Sequence, residues 1–238
     1  MNMKKIKFSL LLVGLCIWVH GTQAQESSLP SGFANGETTW IVKAGVSLNN
    51  VTGKDVDDMK TNWANQKVNG EYKPMIGGTV TFGAHIPMGM GPLYCGTYLT
   101  AGMRGYKTSM KWIIDSNNQA ESLSTLTAFN FQIAPMNIGY IAKLSNHVAL
   151  DINAGLFFSC DFAGSLSNES DYPKKTKTST DIKDIEDYSK YDIGVIGGIG
   201  LWVNHWEVEL NYQRGFASIY EGGSTYSHKF LLTLGYAF

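Results

Sequence analysis

Lys229-Phe230-Leu231-Leu232-Thr233-Leu234-Gly235-Tyr236-Ala237-Phe238 alternates with period two: Phe230, Leu232, Leu234, Tyr236 and Phe238 share one face, and Lys229, Thr233, Gly235 and Ala237 the other. Successive side chains of an extended strand point to opposite sides, so the stretch reads as a strand with one apolar and one polar surface. The segment before it repeats the pattern, with Trp206, Val208, Leu210 and Tyr212 against Glu207, Glu209, Asn211 and Gln213. A strand of this kind can separate lipid on one side from a polar interior on the other.

Working toward the N-terminus, the alternation recurs. Ile193, Val195, Ile199 and Leu201 oppose Asp192, Gly194, Gly198 and Gly200; Val148, Leu150, Ile152, Leu156 and Phe158 oppose Asp151, Asn153, Gly155 and Ser159. Between Thr125 and Lys143, Phe129, Phe131 and Ile133 have one parity and Ile138 and Tyr140 the other, which predicts a β-bulge near Pro135, where a residue without a ladder donor is tolerated. Three further segments, Leu93 to Tyr106, Pro74 to Ile86 and Trp40 to Leu48, complete a set of eight.

The connections alternate in length. Residues 87–92, 144–147 and 203–205 are short; 49–73, 108–124, 161–190 and 219–226 are long. The expected fold is therefore all-β: an eight-stranded antiparallel up-and-down transmembrane β-barrel, even in strand number, with both termini periplasmic and the long loops outside. Closure removes every sheet edge, as lipid demands.

The first residues carry Lys4, Lys5 and Lys7, an apolar run from Phe8 to Val19, and small residues before Gln25. This is the layout of a cleaved signal peptide, so the expected organisation is a signal peptide over 1–24, a periplasmic segment over 25–37 and the barrel over 38–238. Lipid attachment at Cys16 competes, but bulky Leu15 precedes it. Cys95 and Cys160 fall on different strands and are expected to stay unbridged. A formal charge of −1 argues against a nucleic-acid surface, which needs a clustered basic face.

A soluble barrel would share the alternation but turn its apolar face inward. Trp40, Trp206, Tyr191, Tyr212 and Tyr236 favour the membrane reading, because they lie at the ends of the apolar rows, where an interfacial aromatic girdle belongs.

Tyr191-Asp-Ile-Gly-Val-Ile-Gly-Gly-Ile-Gly200, Trp206-Glu-Val-Glu-Leu-Asn-Tyr-Gln-Arg-Gly215 and the final ten residues resemble the last three strands of the PorT-like outer membrane β-barrel family of Bacteroidota. Phe131-Gln-Ile-Ala-Pro-Met-Asn-Ile-Gly-Tyr140 is similar to that family's proline-containing central strand, with Ala134-Pro135 where Ile-Pro is more usual. The resemblance implies a location in the outer-membrane lipid and insertion by the outer-membrane assembly machinery, with Tyr236 and Phe238 as the C-terminal assembly signal. The family includes a component linked to protein secretion. The motifs specify a barrel and not a reaction.

Eight strands enclose an interior that side chains fill, without a channel of porin size. The inward charges fit such a plug: Lys43, Arg104 and Lys229 face Asp151, Asp192, Glu207 and Glu209, and buried charges must be paired. If the last strand closes on the first, Lys43 lies beside Gly235, and the missing side chain there lets it reach Glu209. The expected function is non-catalytic: structural, or surface-binding to an unknown protein or ligand through loops 49–73 and 161–190. No catalytic residue, cofactor or metal is assigned. A small porin-like channel, a secretion accessory and a lipid-modifying enzyme are the alternatives. For the last, Ser218 across the final hairpin from His228 is the best available pair, without an orienting acid of the right parity. His85 is expected inward and alone. The mixed charges of the long loop, Lys174, Lys175 and Lys177 followed by Asp181, Asp184, Glu186 and Asp187, suit either calcium, a partner or solvation, and residues 54–60 suit a short helix.

Overall fold

A computed structural model describes residues 29–30, 36–66, 68–89, 91–115, 118–172 and 174–238. The segment 1–24 assigned to a signal peptide lies outside the described residues, as does most of 25–37.

Among the described residues, ten strands and two helical segments follow in order: β1 (Thr39–Thr52), α1 (Lys54–Asn65), β2 (Asn69–Lys73), β3 (Met75–Pro87), β4 (Leu93–Asp115), β5 (Asn118–Lys143), β6 (Val148–Ser170), β7 (Thr176–Asp181), a 3-10 turn (Ile182–Asp184), β8 (Tyr191–Val203), β9 (Trp206–Ser218) and β10 (Tyr226–Ala237). Eight of the strands form a ring in the order β1, β3, β4, β5, β6, β8, β9, β10, and β10 pairs back onto β1. Every neighbouring pair in the ring is antiparallel.

Alternation decides which way each face points. Apolar side chains stand outward and exposed, Val46 at 54%, Leu210 at 56% and Leu232 at 51%, while Asp151 and Glu207 on the opposite parity are fully buried. An exposed apolar band running round the ring is incompatible with water and fits lipid; a soluble barrel would reverse it. Trp40 stacks on Phe82 at 5.5 Å, and Trp206 packs edge-on to Tyr236 at 5.0 Å, both pairs at the end of the ring where β1 begins and β10 ends. The bulge falls where the parity change requires it: the β5–β6 register shifts between Ile133 and Met136, and Ile133, Ile138 and Tyr140 all emerge on the outer face.

The long connections differ from the expectation of open loops. Residues 108–124 are mostly strand, because β4 and β5 continue as a paired ribbon from Tyr106↔Leu126 to Asp115↔Asn118. β6 runs on to Ser170 beside β5, and β7 adds to its other edge. β2 pairs with the extension of β4. Polar, hydroxyl-rich sequence such as Ser122, Ser124 and Thr125 suits a strand wetted on both faces, where the backbone ladder needs no apolar partition. The strands thus rise beyond the ring as a folded platform at its loop end.

The helix α1 is longer than the 54–60 segment expected. Its first turn carries Asp55 and Asp57, favourable at a helix N-terminus, and it buries Val56 and Trp63. Gly53 makes its entry possible: φ is 133°, and a Cβ there would sit 1.8 Å from the Ser224 carbonyl oxygen. Cys95 and Cys160, on β4 and β6 with β5 between them, carry free thiols.

Candidate functional site

The interior holds two groups of charge. The lower one centres on Lys43 of β1. Its register partner in β10 is Gly235, which pairs in turn with Glu207 of β9, and the neighbouring Thr233 pairs with Glu209. Lys43 Nζ lies 2.7 Å from Glu207 Oε2 and 2.7 Å from Glu209 Oε2, with all three side chains buried. Glycine at 235 makes this span possible, because a Cβ there would stand 3.1 Å from Lys43 Cγ and 3.3 Å from Glu207 Oε2. Asn153 Nδ2 donates to the second Glu209 oxygen at 2.8 Å, and Lys43 also lies over the Tyr98 ring.

The upper group centres on Arg104. Its Nε and Nη2 both donate to Asp161 at 2.7 Å, Nη1 donates to Asp192 at 3.2 Å, and Nη2 reaches the Ser189 carbonyl at 3.0 Å. Tyr188 donates its hydroxyl to the same Asp161 oxygen. Burial pushes the Tyr188 phenol up, against the opposing pull of the Arg104 guanidinium, so it remains a donor. Ser227 donates to Asp192 at 2.6 Å.

Two of the seven sequence-assigned charges are held differently from the expected ion pairs. Asp151 accepts from the Tyr94 hydroxyl at 2.9 and 2.8 Å and from Trp202 Nε1 at 3.5 Å, with aromatic donors in place of a cation. Lys229 donates to the neutral amide of Gln132 at 3.3 Å, and among the described residues no carboxylate lies within ion-pair distance. Long side chains from distant strands reach these groups first, a crowding that period-two alternation does not encode.

Asp161 was missed, although it continues the inward parity of Asp151, Asn153 and Ser159 one step past the expected strand end. His85 is not alone. It stacks on Tyr94 at 3.8 Å and shares a 2.6 Å hydrogen bond with Tyr98, and Trp202 packs edge-on to it.

Both ends of the interior are stoppered. At the terminal end Ile41, Tyr94, Ile141 and Trp202 form a buried cluster that Leu29 completes, its N–H bonded to the Asn146 carbonyl. At the loop end Val51, Val56, Leu126, Ile182 and Ile219 pack with Tyr106 and Tyr188 beneath α1. Asp55 pins the helix by accepting from Ser224 N and Thr225 Oγ1 in the β9–β10 turn. Between the stoppers lie small cavities lined by Gln132 and Gln213.

The Ser218 and His228 pair is not assembled. Register sets His228 opposite Arg214, because the ladder shifts between Tyr226 and His228. Ser218 Oγ is used in its own turn, donating to the Thr225 carbonyl and accepting from Thr225 N. In the long connection Asp181 caps the 3-10 turn through Lys183 N, and the Lys177 ammonium holds exposed Glu169 below the usual carboxylate range. Among the described residues no group of three or more His, Cys, Asp or Glu side chains is arranged to hold a metal ion.

An antiparallel eight-strand ring, apolar outside and ion-paired inside, defines the class of outer-membrane β-barrel proteins. Residues 23–221 match the outer membrane protein β-barrel domain family, and the chain belongs to that family. Its place is the cell outer membrane. Among solved structures it is similar to OprG from Pseudomonas aeruginosa (12% identity, 85% of this chain and 97% of that one, TM-score 0.37). It is also similar to Ail, the attachment invasion locus protein of Yersinia pestis (11% identity, 85% and 99%, TM-score 0.32), and to the neisserial surface protein NspA (9% identity, 84% and 97%, TM-score 0.36). No curated protein sequence matches the chain.

Proposed function

We propose that the protein is a non-catalytic integral barrel that crosses the outer membrane with both termini in the periplasm and presents a folded binding platform to the outside. The observation that carries this reading is the contrast between the two parts. The ring interior is filled by ion pairs and stoppered at each end, whereas β4, β5 and β6 continue beyond it and recruit β2, β7 and α1 into an ordered surface. A protein built only to anchor would need no platform, and a pore would not fill its axis with a paired lysine and arginine. Loops on a rigid scaffold are where binding residues concentrate. The likeness of the last three strands to PorT-like barrels supports a Bacteroidota source and insertion by the assembly machinery through Tyr236 and Phe238. It leaves the partner open between an outer protein and a secretion component.

Two measurements test the reading. In a Cys95→Ala, Cys160→Ala background, Thr178→Cys should react with a membrane-impermeant maleimide on intact cells and Ser145→Cys only after lysis; the reverse pattern would overturn the orientation. Capture from native outer membrane by the full chain should yield a partner that is lost when residues 171–181 are replaced by a short turn. A partner retained without β7 would move the binding surface elsewhere.

A further inference from the structure

The outward faces of β9 and β10 carry two basic groups, Arg214 and His228, and the ladder sets them directly opposite one another. Arg214 is exposed and lies in an apolar and aromatic surrounding, flanked along its strand by Tyr212 and Phe216 and opposed on β8 by Val195. Tyr212 contacts both Phe230 at 4.9 Å and the His228 ring at 6.4 Å. Among the described residues no carboxylate is within ion-pair distance of the guanidinium, and His228 Nδ1 is shielded from solvent with no hydrogen-bond partner. The charged groups inside the ring near this height, Arg104, Asp161, Asp192 and Lys229, point to the other side of the wall, and Arg104 is already paired with both aspartates.

Height decides what this pair can meet. Trp206 marks the aromatic interface at the terminal end of β9, and Arg214 follows eight residues later. At a rise of about 3.3 Å per residue and a tilt of about 40°, that separation is roughly 20 Å of height. The apolar band of such barrels is about 25 Å tall, so Arg214 lies just inside the far interface. A cation at the bilayer midplane is costly, but a long arginine near the edge reaches the headgroup level, where its natural counter-ion is phosphate. Guanidinium and phosphate match as a planar fork to paired oxygens, and an unpaired imidazole nitrogen beside it supplies a further contact.

We infer that Arg214 and His228 form a binding site for the phosphate of an anionic membrane lipid in the leaflet at the loop end of the ring, with Tyr212, Phe216 and Phe230 packing its acyl chains. The site rests on the transmembrane reading above and is independent of what the platform binds.

The test uses the full mature chain reconstituted in neutral phosphatidylcholine vesicles, with insertion verified by heat-modifiable gel mobility. Binding of dioleoyl phosphatidic acid is measured against dioleoylglycerol, which has the same chains without the phosphate. Wild type should retain phosphatidic acid and not the diacylglycerol. Arg214→Gln with His228→Gln should weaken retention about tenfold, Arg214→Lys less, and Lys54→Gln not at all. Equal retention by the double variant, or equal binding of the diacylglycerol, would overturn the site. Competition by free inorganic phosphate at the same concentration would overturn its assignment to a lipid. A chain that inserts but binds without Arg214 refutes this inference alone, whereas failure of the wild type to insert refutes the transmembrane reading as well.

Discussion

Lys43→Met removes the one ammonium set between Glu207 and Glu209 while keeping a side chain of similar length beside Gly235. The two carboxylates stay buried, and Asp151 lies in the same half of the interior, fully buried. Breaking a buried ion pair by deleting one partner costs about 3 to 5 kcal/mol, chiefly because the other charge is left uncompensated. With a urea dependence of about 2 kcal/mol per molar, the unfolding midpoint should fall by about 1.5 to 2.5 M. The assay is equilibrium unfolding of the reconstituted protein, followed by tryptophan emission and by heat-modifiable gel mobility, with the slope required to stay constant. The triple change Lys43→Met, Glu207→Gln, Glu209→Gln should recover much of the loss, since no lone charge remains. An unchanged midpoint in the single variant, or a triple variant weaker than the single one, would refute the view that this pairing holds the ring closed.

Two other perturbations probe parts that the lysine does not. Tyr94→Phe deletes the hydroxyl that donates to both oxygens of Asp151 and should destabilise by about 1.5 to 3 kcal/mol, the usual value of a hydrogen bond to a charged group, read as a lower unfolding midpoint. Val56→Asp places a charge in the cluster beneath α1 and should open residues 54–65 to limited proteolysis, while the ring's own unfolding midpoint moves by less than about 0.5 M, because the helix is a locally opening unit.

The eight ring strands were legible because lipid imposes a strict partition: each outward position from Phe230 to Phe238 must be apolar, and its neighbours need not be. The bulge at Pro135 was legible for the same reason, as a break in that parity. The partnership of Lys43 with Glu209 followed once the closing register was assumed, since its partner Gly235 has no side chain to block the path. The platform was not legible. Beyond the ring, Thr108, Ser109, Ser122 and Ser124 pair in a ladder built of hydroxyl side chains, so no hydrophobic period marks it. The stoppers were hidden by sequence distance: Val56, Leu126, Ile182 and Ile219 meet only after the ring has closed. Asp151 and Lys229 show the limit of counting charges by sign. Which neighbour reaches a buried group depends on side-chain length across the ring, so Tyr94 takes Asp151 and Gln132 takes Lys229.

If the outer-membrane ring is closed inside, single-channel recording in planar lipid bilayers will show it. The purified chain should insert without discrete conductance steps at applied voltages that leave the bilayer intact, and Lys43→Met should do the same until its lowered stability unfolds it. Reproducible, stable ion steps from the wild-type protein would contradict the closed interior and make the cavities lined by Gln132 and Gln213 part of a conducting path.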